Sequence, residues 1–281
     1  MKELGLIDGK IVDLGEHLIS MEDRGYQFGD GIYEVTSVFD GKLFMLEEHL
    51  DRLYSSAEKI KLEIPYTREE IKGFHELLLK ESGIKNTGIY LQITRGAAPR
   101  KHNFPVGIKP VLTMAIRPGD PQGAEKRAKG IETLLVDDIR WLRCDIKTLN
   151  LLGNVLAKQA AYEAGKGEAI QHRDGIVTEG SSTNFYVIKD GVLHTHPANN
   201  LILPGITRIA VLQLCRDNGI EVVEEPFTVD FMNAADEAFI TGTTTEIMPV
   251  TKVSDVVIGS GTRGPVTQKL QELYTEMIKN A

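Results

Sequence analysis

Four Asp-Gly pairs set between apolar runs constrain this chain more than any other feature. Asp8-Gly9 divides the run Leu6–Val12, and Asp40-Gly41 divides Ser37–Phe44. Asp174-Gly175 and Asp190-Gly191 repeat the signal in the second half. The tightest hairpin turns need both central residues at positive φ, a region that glycine enters freely and aspartate tolerates. Each pair therefore predicts a β-hairpin.

Helical periods separate these hairpins. Leu46, Leu50, Leu53, Tyr54, Ala57 and Ile60 share one helical face, which predicts an amphipathic helix over 46–60. Thr67 and Glu70 have capping-box spacing and open a second helix running to about Ser82. Ile89–Thr94 and Val111–Ile116 read as strands. Arg117–Gly123 holds two prolines and two glycines in seven positions and reads as a linker. Beyond it, strands are expected at Ile131–Val136, Glu168–His172, Asn184–Ile188 and Glu237–Thr241, with helices at Leu151–Ala164, Thr207–Asn218 and Pro265–Ile278. The expectation is an α+β chain of two domains, 1–116 and 124–281, joined by 117–123.

Composition removes several classes of function. With 281 residues, 42% of them hydrophobic and 26% charged, the chain can bury a full core. No apolar run approaches the ~20 residues of a membrane helix, and Met1–Asp8 lacks the apolar core of a signal peptide. Two cysteines, Cys144 and Cys215, give no disulfide framework, so a reducing cytoplasm is expected. The net charge of -8, with no basic stripe to offset it, argues against nucleic acid. An anionic substrate would need positive charge gathered locally, and Arg52 and Arg100 are the candidates.

The chemistry concentrates in two segments. Arg140–Asn150 places one lysine, Lys147, in apolar and strand-like surroundings. Burial disfavours an ammonium, and a deprotonated lysine attacks carbonyls, as a Schiff-base cofactor such as pyridoxal phosphate requires. Thr178–Asn184 sets Glu179 before a run of small hydroxyl residues; that cofactor needs an acid partner for its pyridine nitrogen. Gly205-Ile206-Thr207 opens a helix whose first amides can face an anion, and Thr241–Thr245 offers further hydroxyls. Other features carry less. His194 and His196 lack a carboxylate or cysteine at ligand spacing, so no metal is expected. Cys144 has no histidine base beside it. Trp141 reads as core, and Gly25, Gly29 and Gly31 lack dinucleotide-binding spacing.

Several blocks occur together and in order. They are Asp23–Val35, Glu48–Leu53, Thr94–His102, Leu203–Arg208 and Thr241–Glu246, with the two segments above among them. In this respect the chain resembles the class IV, fold type IV, pyridoxal-phosphate transaminases, and within them the D-amino-acid transaminases. The resemblance implies a two-domain fold with the cofactor in the interdomain cleft. It implies that Lys147 bonds the cofactor and shuttles the substrate proton, and that Glu179 meets the ring nitrogen with Ser182 behind it. Leu203 would pack on the ring, while Arg52, Ile206, Thr207 and Thr243 would hold the phosphate. Tyr33, Arg100 and His102 would bind the substrate carboxylate, with Glu34 nearby. The loop carrying Arg100 would come from the neighbouring subunit, making the enzyme a homodimer. Gly242 stands where close relatives carry serine. The implied activity moves the amino group of D-alanine, D-glutamate or D-aspartate to 2-oxoglutarate or pyruvate. Branched-chain L-amino-acid transaminases and 4-amino-4-deoxychorismate lyases share the fold, and Arg100 with His102 counts against both. A non-catalytic pyridoxal-phosphate-binding protein is opposed by Lys147, Glu179 and Tyr33.

Overall fold

A computed structural model describes residues 2–119 and 124–281; the later part of the expected linker, 120–123, lies outside them. The chain divides into two compact units, Met1–Pro121 with Ile146–Asn150, and Gln122–Asp145 with Leu151–Ala281.

The first unit contains β1 (Leu4–Ile7), β2 (Lys10–Val12), α1 (Arg24–Phe28), β3 (Gly31–Phe39), β4 (Lys42–Leu43), α2 (Leu46–Lys59), α3 (Arg68–Ser82), β5 (Thr87–Thr94) and β6 (Val111–Ile116). Its six strands form an antiparallel sheet in the order β2-β1-β6-β5-β3-β4. Alternation along β3 buries Ile32, Glu34, Thr36 and Val38. The apolar members join Leu50 and Leu53 of α2 and Ile71 and Leu78 of α3 in one core. Thr67 caps α3 through both reciprocal hydrogen bonds of a capping box.

The second unit contains α4 (Ala124–Lys129), β7 (Ile131–Asp137), α5 (Leu152–Glu163), β8 (Glu168–Arg173), β9 (Ile176–Gly180), β10 (Asn184–Lys189), β11 (Val192–Thr195), α6 (Ile206–Asp217), β12 (Val222–Glu224), α7 (Val229–Asn233), β13 (Glu237–Gly242), β14 (Glu246–Val253), β15 (Val256–Val257) and α8 (Pro265–Lys279). Its sheet runs β12-β11-β10-β13-β14-β7-β8-β9, with β15 on β14. The pairs β14/β7, β7/β8 and β11/β12 are parallel, and α5 makes the crossover from β7 to β8. Phe185, Val187, Ile240 and Met248 lie in its core.

All four Asp-Gly pairs are tight turns between antiparallel neighbours. Asp8, Asp40, Asp174 and Asp190 have φ of 48, 49, 49 and 51°, and the glycines that follow have 84, 82, 80 and 79°. Two local expectations fail. The segment around Lys147 is irregular rather than a strand; its pairing with the sheet among the described residues is an isolated bridge from Thr148 to Ile32. Trp141 is not core: 44% of it is exposed, because its stretch lies outside the sheet.

Candidate active site

In the first unit one group of candidate residues lies at the edge of β3. β4 pairs only with Val38 and Phe39, which leaves the start of that edge open to the segment 147–149. The Tyr33 amide donates to the Lys147 carbonyl at 3.0 Å, and the Leu149 amide donates to the Gly31 carbonyl at 3.1 Å. The Lys147 amide donates to Ser56 Oγ of α2 at 3.2 Å. These bonds fix a half-buried Lys147, with Nζ 4.2 Å from the centre of the Tyr33 ring. Tyr33 in turn stacks on Tyr90.

The next residue of β3, Glu34, turns the other way and is buried. Its carboxylate accepts from Arg52 Nε at 2.7 Å and Nη2 at 2.8 Å, and from His49 Nδ1 at 2.7 Å. Arg52 and His49 lie three apart on α2 and so share a face. Burial raises the Glu34 carboxyl, but Arg52 and His49 outweigh it and hold it at about 2. Burial lowers the His49 imidazole, and the charges of Arg52 and Lys147 push the same way. Glu34 opposes that lowering, and because its carboxylate can only accept, His49 Nδ1 is the donor of the bond between them.

Arg100 and His102 are exposed and form a separate group around Phe28. The Arg100 guanidinium lies 4.7 Å from the Phe28 ring centre, and the His102 ring lies 5.6 Å from it. Buried Arg24 holds their loop by donating to the carbonyls of Lys101 at 2.6 Å and His102 at 3.4 Å.

In the second unit Glu179, next to last in β9, has a buried carboxylate. Oε1 accepts from Arg140 Nη1 at 2.5 Å, and Oε2 from Asn184 Nδ2 at 2.8 Å. The Leu203 amide lies 3.2 and 3.1 Å from the two oxygens. Burial raises the Glu179 carboxyl above its ordinary value, and Arg140 and the Leu203 amide oppose that rise without cancelling it. The hydroxyl run turns inward to buried Glu168, which accepts from Ser181, from Ser182 at 3.3 Å and from Thr183 at 3.5 Å.

Gly205 caps α6 without a side-chain hydrogen bond, and the first turn has no acidic residue. The Ile206 and Thr207 amides thus begin a helix with neither device that α3 uses at its own start. A Cβ at Gly205 would stand 2.1 Å from Asn184 Oδ1, so glycine is needed for Asn184 to reach Glu179. Thr243 lies in the turn between β13 and β14. Gly242 has space for a Cβ, its nearest neighbour being 3.5 Å away. His194 contacts Phe231, whereas His196 lies beyond the end of β11 with Nδ1 against the Pro197 carbonyl.

Within one unit, then, Lys147 and Tyr33 come together, as do Glu34 and Arg52; Glu179 and Leu203 do so in the other. Sequence reading missed His49, Asp138, Arg140 and Asn184 as supports. Arg140 and Asn184 stand inside the two segments singled out, but no spacing rule marks a residue that acts by holding another.

Residues 31–253 match the family model of amino-transferase class IV. The chain belongs to the class IV aminotransferases. Among its relatives, the D-alanine aminotransferase of Staphylococcus epidermidis is 49% identical over 98% of this chain and 97% of that one. The D-alanine aminotransferase of Bacillus licheniformis is 47% identical over 95% of this chain and 94% of its own length. The fold resembles the branched-chain amino acid aminotransferase of Escherichia coli, with TM-score 0.91, 27% identity, and coverage of 97% of this chain and 93% of that one. A second branched-chain amino acid aminotransferase, from T.th. and solved with pyridoxamine 5'-phosphate, gives TM-score 0.90 and 30% identity over the same shares.

Proposed function

We infer that this chain is a pyridoxal-phosphate-dependent D-amino-acid transaminase, passing the amino group of D-alanine and related D-amino acids to a 2-oxo acid. The observation that carries the reading is 49% identity to a D-alanine aminotransferase over nearly the whole of both chains. The branched-chain neighbours share the fold at 27–30% identity, a weaker claim on substrate.

The residues suit the cofactor. Class IV aminotransferases use pyridoxal phosphate, which when bound supplies an electron sink for the bonds at the substrate Cα. Lys147 is the proposed point of attachment and the base that moves the Cα proton. The Tyr33 ring beside Nζ and the backbone bonds on either side of Lys147 aim that amine. Arg52, held by Glu34 and His49, supplies positive charge for the phosphate, with the Ile206 and Thr207 amides and the Thr207 and Thr243 hydroxyls. Glu179 is the partner of the ring nitrogen, Leu203 packs on the ring, and Ser182 stands behind it.

Arg100, His102 and Tyr33 are assigned to the substrate carboxylate. Arg100 and His102 cluster on Phe28 rather than on Lys147, which supports the proposal that their loop serves a neighbouring subunit of a homodimer. Exposed Ile139, Trp141, Leu142, Leu152, Val155 and Leu156 supply apolar surface for such an assembly. The domain limits 1–116 and 124–281, with residues 146–150 packing in the first unit, and a cytoplasmic location belong to the same proposal. Both cysteines are free and buried, and among the described residues no helix is long and apolar enough to cross a membrane.

The test is a donor screen with both enantiomers of alanine, aspartate, glutamate and leucine, using 2-oxoglutarate and pyruvate as acceptors. Turnover of D-alanine well above L-leucine is expected. The reverse preference would move the enzyme to the branched-chain group.

A further inference from the structure

We propose that Arg140 is a positioning residue for the reaction, bridging Asp138 and Glu179 so that the Glu179 carboxylate is aimed and kept anionic. The inference rests on the assignment of Glu179 to the cofactor's ring nitrogen.

The donors around Glu179 divide by charge. Asn184 and the Leu203 amide are neutral and fix the direction of the carboxylate. Arg140 brings a full positive charge to Oε1 at 2.5 Å. A fully buried carboxylate is costly to ionise, so this cation decides its state more than the neutral donors do.

The geometry of Arg140 is itself imposed. Its Nε donates to Asp138 Oδ1 at 2.9 Å and its Nη2 to Asp138 Oδ2 at 2.8 Å, a two-pronged grip on one carboxylate. Nη2 also reaches the Leu201 carbonyl at 3.2 Å. That grip turns Nη1 toward Glu179. Asp138 is anchored from behind by Arg173 Nε at 3.1 Å and by the Thr178 hydroxyl at 3.0 Å. The result is a row of alternating charge: Arg173, Asp138, Arg140, Glu179. A lysine at 140 keeps the charge but, as a compact ammonium, lacks the planar fork that holds one carboxylate with two bonds while addressing another.

The row fixes where a shared proton lies. Glu179 and the ring nitrogen compete for it, and Arg140 is in direct contact with Glu179. Removing Arg140 penalises the anionic carboxylate more than it helps the ring cation, so the proton shifts toward Glu179. The ring then withdraws electrons less strongly, and proton removal at Cα slows.

The experiment compares wild type, Arg140→Met, Arg140→Lys, Glu179→Gln and the double variant Arg140→Met with Glu179→Gln. Each is loaded with pyridoxal phosphate carrying the heavy nitrogen isotope in its ring. Nuclear magnetic resonance reads the protonation of that nitrogen, and kinetics with D-alanine give kcat and KM. In Arg140→Met the ring signal should move toward the unprotonated position and kcat should fall about tenfold or more, with KM changed by less than about twofold. In the Glu179→Gln background the same change should alter kcat by less than about twofold, because its route is gone. Arg140→Lys should fall between wild type and Arg140→Met in both readouts, and it carries the test alone if Arg140→Met does not fold. An unmoved ring signal, or equal kcat losses in both backgrounds, overturns the proposal. A wild-type ring signal and kcat in Glu179→Gln would instead remove the assignment of Glu179 on which it rests.

Discussion

Glu34→Gln is the most direct probe of how the first unit carries charge inside its core. The wild-type carboxylate accepts three hydrogen bonds from Arg52 and His49, and the substitution keeps its shape while removing its charge. A carboxyl held at about 2 rather than 4.5 contributes about 3 kcal/mol to folding at neutral pH. Breaking a buried ion pair from one side typically costs about 3–5 kcal/mol, because the remaining charge is stranded. The two routes agree, so a loss of about 3 kcal/mol is expected in denaturant unfolding of the cofactor-free protein at pH 7. The sign with pH is equally specific. The folded value lies below the unfolded one, so the stabilisation is complete above 4.5 and fades as pH falls toward about 2. Glu34→Gln lacks that dependence, so the two stabilities should converge over this window, with His75 common to both. Cofactor retention should weaken as well, since Arg52 would lose the groups that orient it. A loss under about 1 kcal/mol at pH 7, or a constant gap across the acid range, would refute the reasoning.

Three further outcomes are expected. Arg100→Ala should raise KM for D-alanine at least about tenfold, one charged hydrogen bond being worth about 1.5–3 kcal/mol, with the cofactor's visible spectrum unchanged; an unaltered KM would detach Arg100 from the carboxylate. Burial holds the imidazole of His75 at about 4, below 6.5 when unfolded, so the unfolded chain takes up the proton first. Stability should therefore decline as pH falls from 6.5 toward about 4, and His75→Gln should flatten that limb in denaturation curves measured against pH. Gly205→Ala should drive Asn184 from Glu179 and weaken retention of pyridoxal phosphate, whereas Gly242→Ser should bind it normally, the space at 242 being open; equal behaviour of the two variants in a cofactor titration would contradict the geometry.

What sequence could reveal followed from where each signal originates. The Asp-Gly turns were legible because their φ values follow from the two residues themselves. The helix over 46–60 was legible because its face is written in six apolar side chains, and α2 indeed spans Leu46–Lys59. β14 was not anticipated, although it is eight residues long, because it is a central strand with neighbours on both sides. Such strands lose the two-residue alternation on which pattern reading depends. The conformation at Lys147 was misjudged for a related reason. Its apolar neighbours suggested a strand, but the open edge of β3 recruits only a single bridge there, and no local pattern contains that edge.

The proposed chemical residues were legible and their supports were not, and one physical fact accounts for both. Lysine, glutamate and arginine stand out when set among small or apolar neighbours, because each would be costly to bury unless something else holds its charge. Here that something lies far along the chain or on another element. Glu34 of β3 holds Arg52 of α2, and Arg140 before α5 meets Glu179 near the end of β9. Arg140 is itself charged and buried, so it needs a partner in turn, and the requirement passes from Glu179 through Arg140 and Asp138 to Arg173, whose side chain is partly exposed. A buried charge that performs chemistry therefore commits a fold to a series of compensating charges ending near solvent. In this enzyme that series, more than any single side chain, is what opposes the rise that burial imposes on the Glu179 carboxyl.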